Sequence, residues 1–290
     1  MELMIHYSLA ISVPELDVDT SHAGTRLVLK KALEAPWLLH EILAISARHL
    51  AFVKPENSAS YLTQSIHLQT KAIEMFNSAN LHINESNCIS ALLFSSTLGR
   101  HVLADTLANQ DVDADIFVQQ YIRYVRIHRG LRAIASGSWS FIVESELQPI
   151  LARTTGLELK PIRGSELTGL RELITQSSSL DQSSSEACLQ AIHYLQIGLD
   201  QFTDENPPLM KYQMVFIWSF MNPPPFTDLI RQHQPEALII LGHYAILLHH
   251  ARSLWQIGTS GAFLFEAVSK LLPDVEWAKY LRWPRMIIEG

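Results

Sequence analysis

The chain has 290 residues, of which 48% are hydrophobic, so it is long enough to bury a large core. Its 22 Lys and Arg residues are outnumbered by 29 Asp and Glu residues, which gives a formal charge of −7 at pH 7. Nucleic-acid binding relies on an excess of positive charge, so we expect no direct contact with DNA or RNA. We expect one large domain over residues 1–290.

Cysteine content and the N-terminal sequence indicate the compartment. Cys88 and Cys188 are the only cysteines, too few for a disulfide framework or a cysteine-built zinc site. The first twenty residues have four acidic residues and no basic segment, unlike a secretory signal. The apolar run Ala237–Leu248 is shorter than the roughly 18 residues of a membrane span. We therefore expect an intracellular protein, cytoplasmic or nuclear, with no membrane span.

Apolar residues in the N-terminal half recur with helical spacing. The segment Leu27–Val53 is interrupted near Pro36, which predicts two helices or one kinked helix. A further helix is expected after the turn at Pro55–Ser60. The next, over Ser86–Val102, is apolar on almost all sides and is expected inside a helical bundle.

The middle of the chain combines a helix with two polar connections. The acidic stretch Ala108–Asp115 begins with the spacing of a calcium-binding loop, but Ile116 and Ile122 occupy the positions of its glycine and its glutamate. We therefore interpret it as an exposed turn before a helix over Ile116–Ala135. Six serines crowd residues 177–185, which predicts a mobile surface loop.

The C-terminal part is again helical by period. Helices are expected over Glu186–Phe202 and Leu209–Phe220, followed by a break at Pro223–Pro225. A short helix from Phe226 and a long one beginning near Pro235 follow, since proline suits a first helical turn. The predicted fold is all-α, a single large multi-helix bundle.

Three histidines lie on the long helix predicted from Pro235. His243 and His250 are two turns apart on nearly the same face, with Tyr244 beside them. The pattern leaves three interpretations open. The histidines are a metal-binding pair completed by other ligands, polar groups that line a ligand pocket, or structural histidines. We expect no metal and no cofactor, because the zinc-protease, phosphate-loop, dinucleotide and nucleophile-elbow motifs are all absent.

Large aromatic and thioether side chains are concentrated in the C-terminal third of the chain. Such groups line ligand pockets, although they also fill cores. The candidate ligand-binding residues are Trp218, Phe220, Met221, His243, Tyr244, Leu247, His250, Trp255 and Phe263.

Six segments in order give the chain a resemblance to a known family. They are MELMIHYS, PWLLHEILAISARHLA, SNCISALLFSSTLG, HRGLRAIASGSW, PEALIILGHYAILLH and YLRWP. Together they resemble the C-terminal regulatory domain of fungal zinc-cluster transcription factors, in the branch of the sterol uptake control proteins. The cysteine-rich DNA-binding part of that family is missing here, so the chain is expected to be either a fragment or a stand-alone descendant.

The resemblance implies an all-helical, usually dimeric domain with a hydrophobic cavity in its C-terminal half. The expected function is regulation through binding of a sterol or another terpenoid, and the expected partners are that small molecule and a second copy of the chain. The alternative is a cofactor-free enzyme of secondary metabolism, a cyclase, pericyclase or isomerase, with His243, Tyr244 and His250 as candidate catalytic residues. A third possibility is a scaffold that dimerises with full-length relatives.

Overall fold

The computed structural model describes residues 1–14, 16, 18–136, 138–151, 161–203 and 211–290. Every regular element in these ranges is helical, as the sequence predicts. Two compact units are distinguished by packing, residues 1–102 with 127–155 and residues 103–126 with 156–290. The expectation of a single domain stays a prediction.

The first unit begins with three helices, of which α1 and α2 both contact α3. Helix α1 (Glu2–Ala10) contributes Leu3 to a cluster with Ala47 and Leu50 of α3 (Pro36–Val53). Helix α2 (Val18–Ala32) ends before α3, and Pro36 occupies the first turn of α3. Two helices separated at the proline are therefore formed, rather than one kinked helix, because proline cannot donate the backbone hydrogen bond of a helix interior.

The remaining helices of the first unit enclose an aromatic core. Helix α4 (Ser58–Ser78) follows a 3₁₀ turn at Pro55–Asn57 and packs along α3. Trp37, Phe76 and Phe94 form a triangle with ring centroids 4.6–5.2 Å apart, which joins α3 and α4 to the next helix. The helices that complete the unit are α5 (Cys88–Ala108) up to Val102, α6 (Ala114–Ser136) from Ile127, α7 (Trp139–Val143) and α8 (Gln148–Leu151).

The second unit is built around one fully buried helix, α13 (Pro235–His250). Every residue of α13 from Glu236 to Leu248 is buried, as expected of a helix that is apolar on all sides. The unit also contains the end of α5 from Leu103 and the first part of α6. Its other α-helices in the described residues are α9 (Thr168–Gln176), α10 (Gln182–Thr203), α11 (Gln213–Met221), α12 (Pro224–Arg231), α14 (Ser260–Leu271), α15 (Val275–Ala278) and α16 (Arg282–Glu289).

Two helices of the second unit begin earlier than the sequence predicts, α12 at Pro224 rather than Phe226 and α10 ahead of Glu186. Helix α10 begins at Gln182, so three of the predicted loop serines, at 183–185, lie in its first turn, where the Asp181 carboxylate caps the Ser184 N–H at 2.8 Å. The start of the helix predicted over Leu209–Phe220 lies partly outside the described residues. None of the described helices combines the length and hydropathy needed to cross a lipid bilayer.

Candidate ligand site

A stacked aromatic pair marks the centre of the second unit. The rings of Trp218 on α11 and Tyr244 on α13 are nearly parallel, with centroids 4.4 Å apart. Trp218 Nε1 donates a hydrogen bond to the Ala191 carbonyl of α10 at 3.0 Å, and the Tyr244 hydroxyl donates to the Val215 carbonyl. Both polar ends are therefore satisfied by backbone, and both rings are held in one orientation.

A small cavity lined in part by Trp218 lies between α6, α11 and α12. Its volume is about 10 Å³, close to the space that one water molecule needs. Its lining combines large apolar groups with hydroxyl and amide groups. The lining residues are Tyr121, Ile122, Val125, Trp218, Ser219, Asn222, Phe226, Thr227 and Ile230.

The polar groups of this cavity come from all three helices. The Tyr121 hydroxyl and Ser219 Oγ are 2.5 Å apart, so a hydrogen bond links α6 to α11 at the cavity wall. Asn222, just after α11, and Thr227 on α12 are 2% and 3% exposed. The site can therefore offer hydroxyl and amide hydrogen bonds to one polar group of a ligand, and aromatic and aliphatic contacts to the rest of it.

His243 does not line this cavity. Its Nδ1 lies 2.8 Å from the Ile239 carbonyl one turn earlier, and because a carbonyl only accepts, Nδ1–H is the donor. Burial lowers the pKa of His243 to about 4, against the opposing effect of that hydrogen bond, so the imidazole is neutral at pH 7. Its ring centroid is 5.9 Å from that of Trp283.

His250 has different neighbours again. Its ring stacks on Phe202 of α10, with centroids 4.9 Å apart, and the Lys211 ammonium lies 5.5 Å from the same Phe202 ring. Partial burial lowers the pKa of His250, and the nearby positive charges lower it further. The structure therefore gives the two histidines separate surroundings, although they share one face of α13.

The other predicted site residues are also dispersed. Leu247 packs against Gly198 of α10, and Phe263 meets the ring of Phe117 edge-on with centroids 4.8 Å apart. Phe220, Met221 and Trp255 are half-buried, and none of the three lines the cavity. Of the nine candidates, Trp218 alone lines this cavity, and Tyr244 stacks on Trp218.

The first unit contains a buried polar network that the sequence did not suggest. His101 on α5 lies between Glu41 of α3, with Nδ1 2.9 Å from Oε1, and Ser65 of α4, with Nε2 3.0 Å from Oγ. Serine hydrolases use this carboxylate–histidine–serine order, but their serine is open to substrate. Here all three side chains are at most 1% exposed, so we interpret the network as a structural link between α3, α4 and α5.

The structure provides no support for metal binding in the described part of the chain. No group of three or more His, Cys, Asp or Glu side chains there is arranged to hold a metal ion. In the acidic stretch, Asp111 and Asp113 are exposed, and Asp113 Oδ1 accepts the Asp115 N–H at 2.9 Å in a local turn.

Comparison with known proteins adds no further assignment. No protein-family model, curated protein or solved structure matches the chain.

Proposed function

We propose that the chain is a ligand-responsive module whose second unit binds an apolar small molecule carrying one polar group, of the sterol or terpenoid class. The observation that carries the proposal is the composition of the cavity between α6, α11 and α12. Aromatic and aliphatic side chains form most of its wall, and the Tyr121–Ser219 hydroxyl pair, Asn222 and Thr227 lie together on it. The ligand class is taken from the resemblance to sterol-sensing regulators.

The cavity is far smaller than the proposed ligand, so the proposal requires the surrounding helices to move apart. Pockets for small molecules measure about 300–1,000 Å³, whereas this cavity holds about 10 Å³. A terpenoid can therefore enter only if the walls separate, so that binding and a change of helix packing are one event. A ligand that binds the open packing more tightly shifts the population toward it, which is how a small molecule regulates a helical domain.

The short helix α12 is the wall that we expect to move. It has only eight residues, and Pro224 and Pro225 form the start of its first turn. Four of its side chains are buried, among them Phe226 and Thr227, which line the cavity. Outward movement of α12 enlarges the site without disturbing the stack between Trp218 and α13.

The test is a binding measurement with matched ligands. Purified protein is titrated with ergosterol and with linear and cyclic terpenoid alcohols, each paired with the hydrocarbon of the same skeleton. Tryptophan fluorescence and thermal unfolding report binding, and we expect dissociation constants near or below about 1 μM, since apolar burial alone can supply that affinity. Each alcohol should bind more tightly than its hydrocarbon. Mass analysis of the ligand after incubation shows whether it is returned unchanged or converted, as the enzyme alternative requires.

Two variants assign binding to the cavity. Asn222→Leu removes one polar group at nearly constant volume, so the preference for the alcohol over the hydrocarbon should fall about tenfold. Val125→Phe fills the space and should weaken binding of both members of a pair. Ile116→Phe, which makes the same kind of change on the exposed side of α6, is the control and should bind normally. If no compound binds, or if Asn222→Leu and Val125→Phe both bind as the unmodified chain does, the proposal is wrong.

A further inference from the structure

Two loop serines hold a buried carboxylate in the second unit. The connection between α9 and α10 places Ser177 Oγ and Ser179 Oγ each 2.6 Å from Glu236 Oε1. The two hydroxyls are also 2.9 Å from each other. We name this group of Ser177, Ser179 and Glu236 the serine latch.

Glu236 lies in the first turn of α13 and is 2% exposed. Gln234 Nε2 donates to its other oxygen, Oε2, at 2.8 Å and to Ser179 Oγ at 2.9 Å. Burial opposes the charge of Glu236, but the hydrogen bonds from Ser177, Ser179 and Gln234 outweigh it and hold the pKa below its usual value. The carboxylate is therefore ionised at neutral pH and serves as the acceptor of both serine hydroxyls.

The latch fixes the corner between α12 and α13, which we define as residues 232–236. The corner turns at His233, whose φ of 55° lies in the left-handed region, and Gln234 N–H closes it on the Leu229 carbonyl at 3.0 Å. His233 Nε2 lies 2.9 Å from Asp115 Oδ1, on the side of α6. The serine latch holds the same corner to the α9–α10 loop.

We propose that Ser179 is a phosphorylation site and that its modification opens the serine latch. Ser179 is exposed, as is its neighbour Ser178, although the Ser179 hydroxyl reaches the buried carboxylate. In the reaction, a protein serine kinase transfers the γ-phosphoryl group of ATP to Ser179 Oγ. The bond between this oxygen and phosphorus forms, the bond between the β–γ bridging oxygen and the γ-phosphorus breaks, the hydroxyl proton is released and ADP leaves.

The modification reverses the interaction at Glu236. A hydroxyl donor becomes a phosphate with a charge of about −1.5 to −2, which only accepts hydrogen bonds near neutral pH and repels the carboxylate. Glu236 already lies in the first turn of α13, where the helix dipole stabilises a negative charge. A second negative charge beside it is therefore repelled by the Glu236 carboxylate. The loop then separates from α13, and the corner between α12 and α13 loses the contact that the serine latch provides.

Hydrogen exchange on the complete chain without ligand tests the opening. Phosphoserine is installed biosynthetically at position 179, and the matched control carries it at position 178, where the same charge is added to a side chain outside the latch. With phosphoserine at 179, amides of residues 177–181 and of the first turn of α13 should exchange at least about tenfold faster than in the unmodified chain. With phosphoserine at 178 they should change less than about twofold.

A second variant separates repulsion from simple loss of a hydrogen bond. In a Glu236→Gln background, phosphoserine at 179 should produce a much smaller acceleration, because the charge that it repels is gone. Equal exchange with phosphoserine at 178 and at 179, or an undiminished effect in the Glu236→Gln background, overturns the opening mechanism. Ligand binding plays no part in this measurement, so its result is independent of the proposed function.

Site mapping tests the modification itself. The chain is produced in eukaryotic cells, and its phosphopeptides are located by mass spectrometry, with Ser179→Ala as the control for assignment. We expect phosphate at Ser179 that disappears in the variant. Phosphate found only at other serines, such as those at 183–185, or at none, overturns the proposal.

Discussion

Trp218 and Tyr244 stack face to face, with ring centroids 4.4 Å apart and ring planes inclined by 13°. Each ring anchors its polar end on a backbone carbonyl of a different helix, Ala191 of α10 for Trp218 and Val215 of α11 for Tyr244. The pair therefore joins α10, α11 and α13, and Trp218 forms part of the cavity wall. Since offset aromatic pairs add about 0.5–1.5 kcal/mol beyond their buried area, this wall is expected to stay in place when α12 moves.

The hydroxyl of Tyr244 should contribute measurably to stability. Tyr244→Phe keeps the stack but leaves the buried Val215 carbonyl without this donor, which should lower the free energy of unfolding by about 1–2 kcal/mol. Urea denaturation followed by circular dichroism measures the change. The control is Tyr280→Phe at a half-buried position, where a loss below about 0.5 kcal/mol is expected. Equal losses in the two variants would mean that the Tyr244 hydrogen bond is energetically neutral.

The fold was predictable wherever the apolar pattern was strong. The all-α class is confirmed, as are the break at Pro36 and the start of the buried helix at Pro235, since proline at a first turn and an apolar run without a polar face both leave clear signals. Helix α1 was not predicted. Its residues show almost no separation into polar and apolar faces, and it is held instead by tertiary contacts such as the Ser46 hydroxyl donating to the Leu3 carbonyl at 2.7 Å.

The site was predictable only in its aromatic part. Trp218 was identified, but the polar lining residues were not, because Ser219, Asn222 and Thr227 are unremarkable in sequence and Tyr121 comes from a helix about a hundred residues away. The grouping of His243 with His250 assumed that residues on one helix face share an environment. Helix α13 is surrounded along its length, so two turns of separation bring the two histidines against Trp283 and Phe202 respectively.

Close packing of α14 on α13 depends on Gly261. A Cβ atom at this position would lie 2.6 Å from the backbone nitrogen of His249 and 2.8 Å from the Ala245 carbonyl oxygen, neither of which can move independently of α13. Gly261→Ala should therefore lower the free energy of unfolding by roughly 2 kcal/mol or more, as expected of overpacking against a rigid neighbour.

Gly169 on α9 provides the same substitution without the clash. A Cβ atom there meets no atom within 4 Å. Because alanine is the better helix former by about 0.8–1 kcal/mol, Gly169→Ala should raise stability slightly. Denaturation curves of the two variants should thus shift in opposite directions, and a shift in the same direction would contradict the predicted contact at Gly261.

Truncation of the buried network in the first unit should destabilise the protein. Glu41→Ala removes the acceptor of His101 and leaves a polar ring and a void inside the unit, so we expect a loss of about 2–4 kcal/mol. Glu34→Ala, which removes an exposed carboxylate paired with Lys31, is the control and should cost less than about 0.5 kcal/mol.

A double-mutant cycle distinguishes a network from independent contacts. If Glu41, His101 and Ser65 act together, the combined loss in Glu41→Ala with Ser65→Ala should differ from the sum of the single losses by at least about 0.5 kcal/mol. Additive losses would show that His101 does not couple the two residues. Neither the unmodified chain nor these variants should hydrolyse esters, because Ser65 is 1% exposed.

Acid should destabilise the second unit through His243. Its pKa is lowered to about 4 in the folded protein because burial opposes the charge, while an unfolded histidine titrates near 6.5. The unfolded chain therefore takes up a proton first as the pH falls, so the stability contributed by neutral His243 is complete above about pH 6.5 and is lost progressively toward pH 4. At about 1.4 kcal/mol per pKa unit, the loss is roughly 3 kcal/mol.

His243→Leu isolates this effect because all other titrating groups are common to both proteins. Urea denaturation at about pH 7.5 and about pH 4 gives the stability difference between the unmodified chain and the variant at each pH. The variant loses the hydrogen bond to Ile239 at both pH values, but its residue 243 cannot be protonated. The difference in free energy of unfolding between the two proteins should therefore shift by roughly 3 kcal/mol in favour of the variant at the lower pH. An unchanged difference would mean that His243 is accessible to protons in the folded state, which would return it to consideration as a functional histidine.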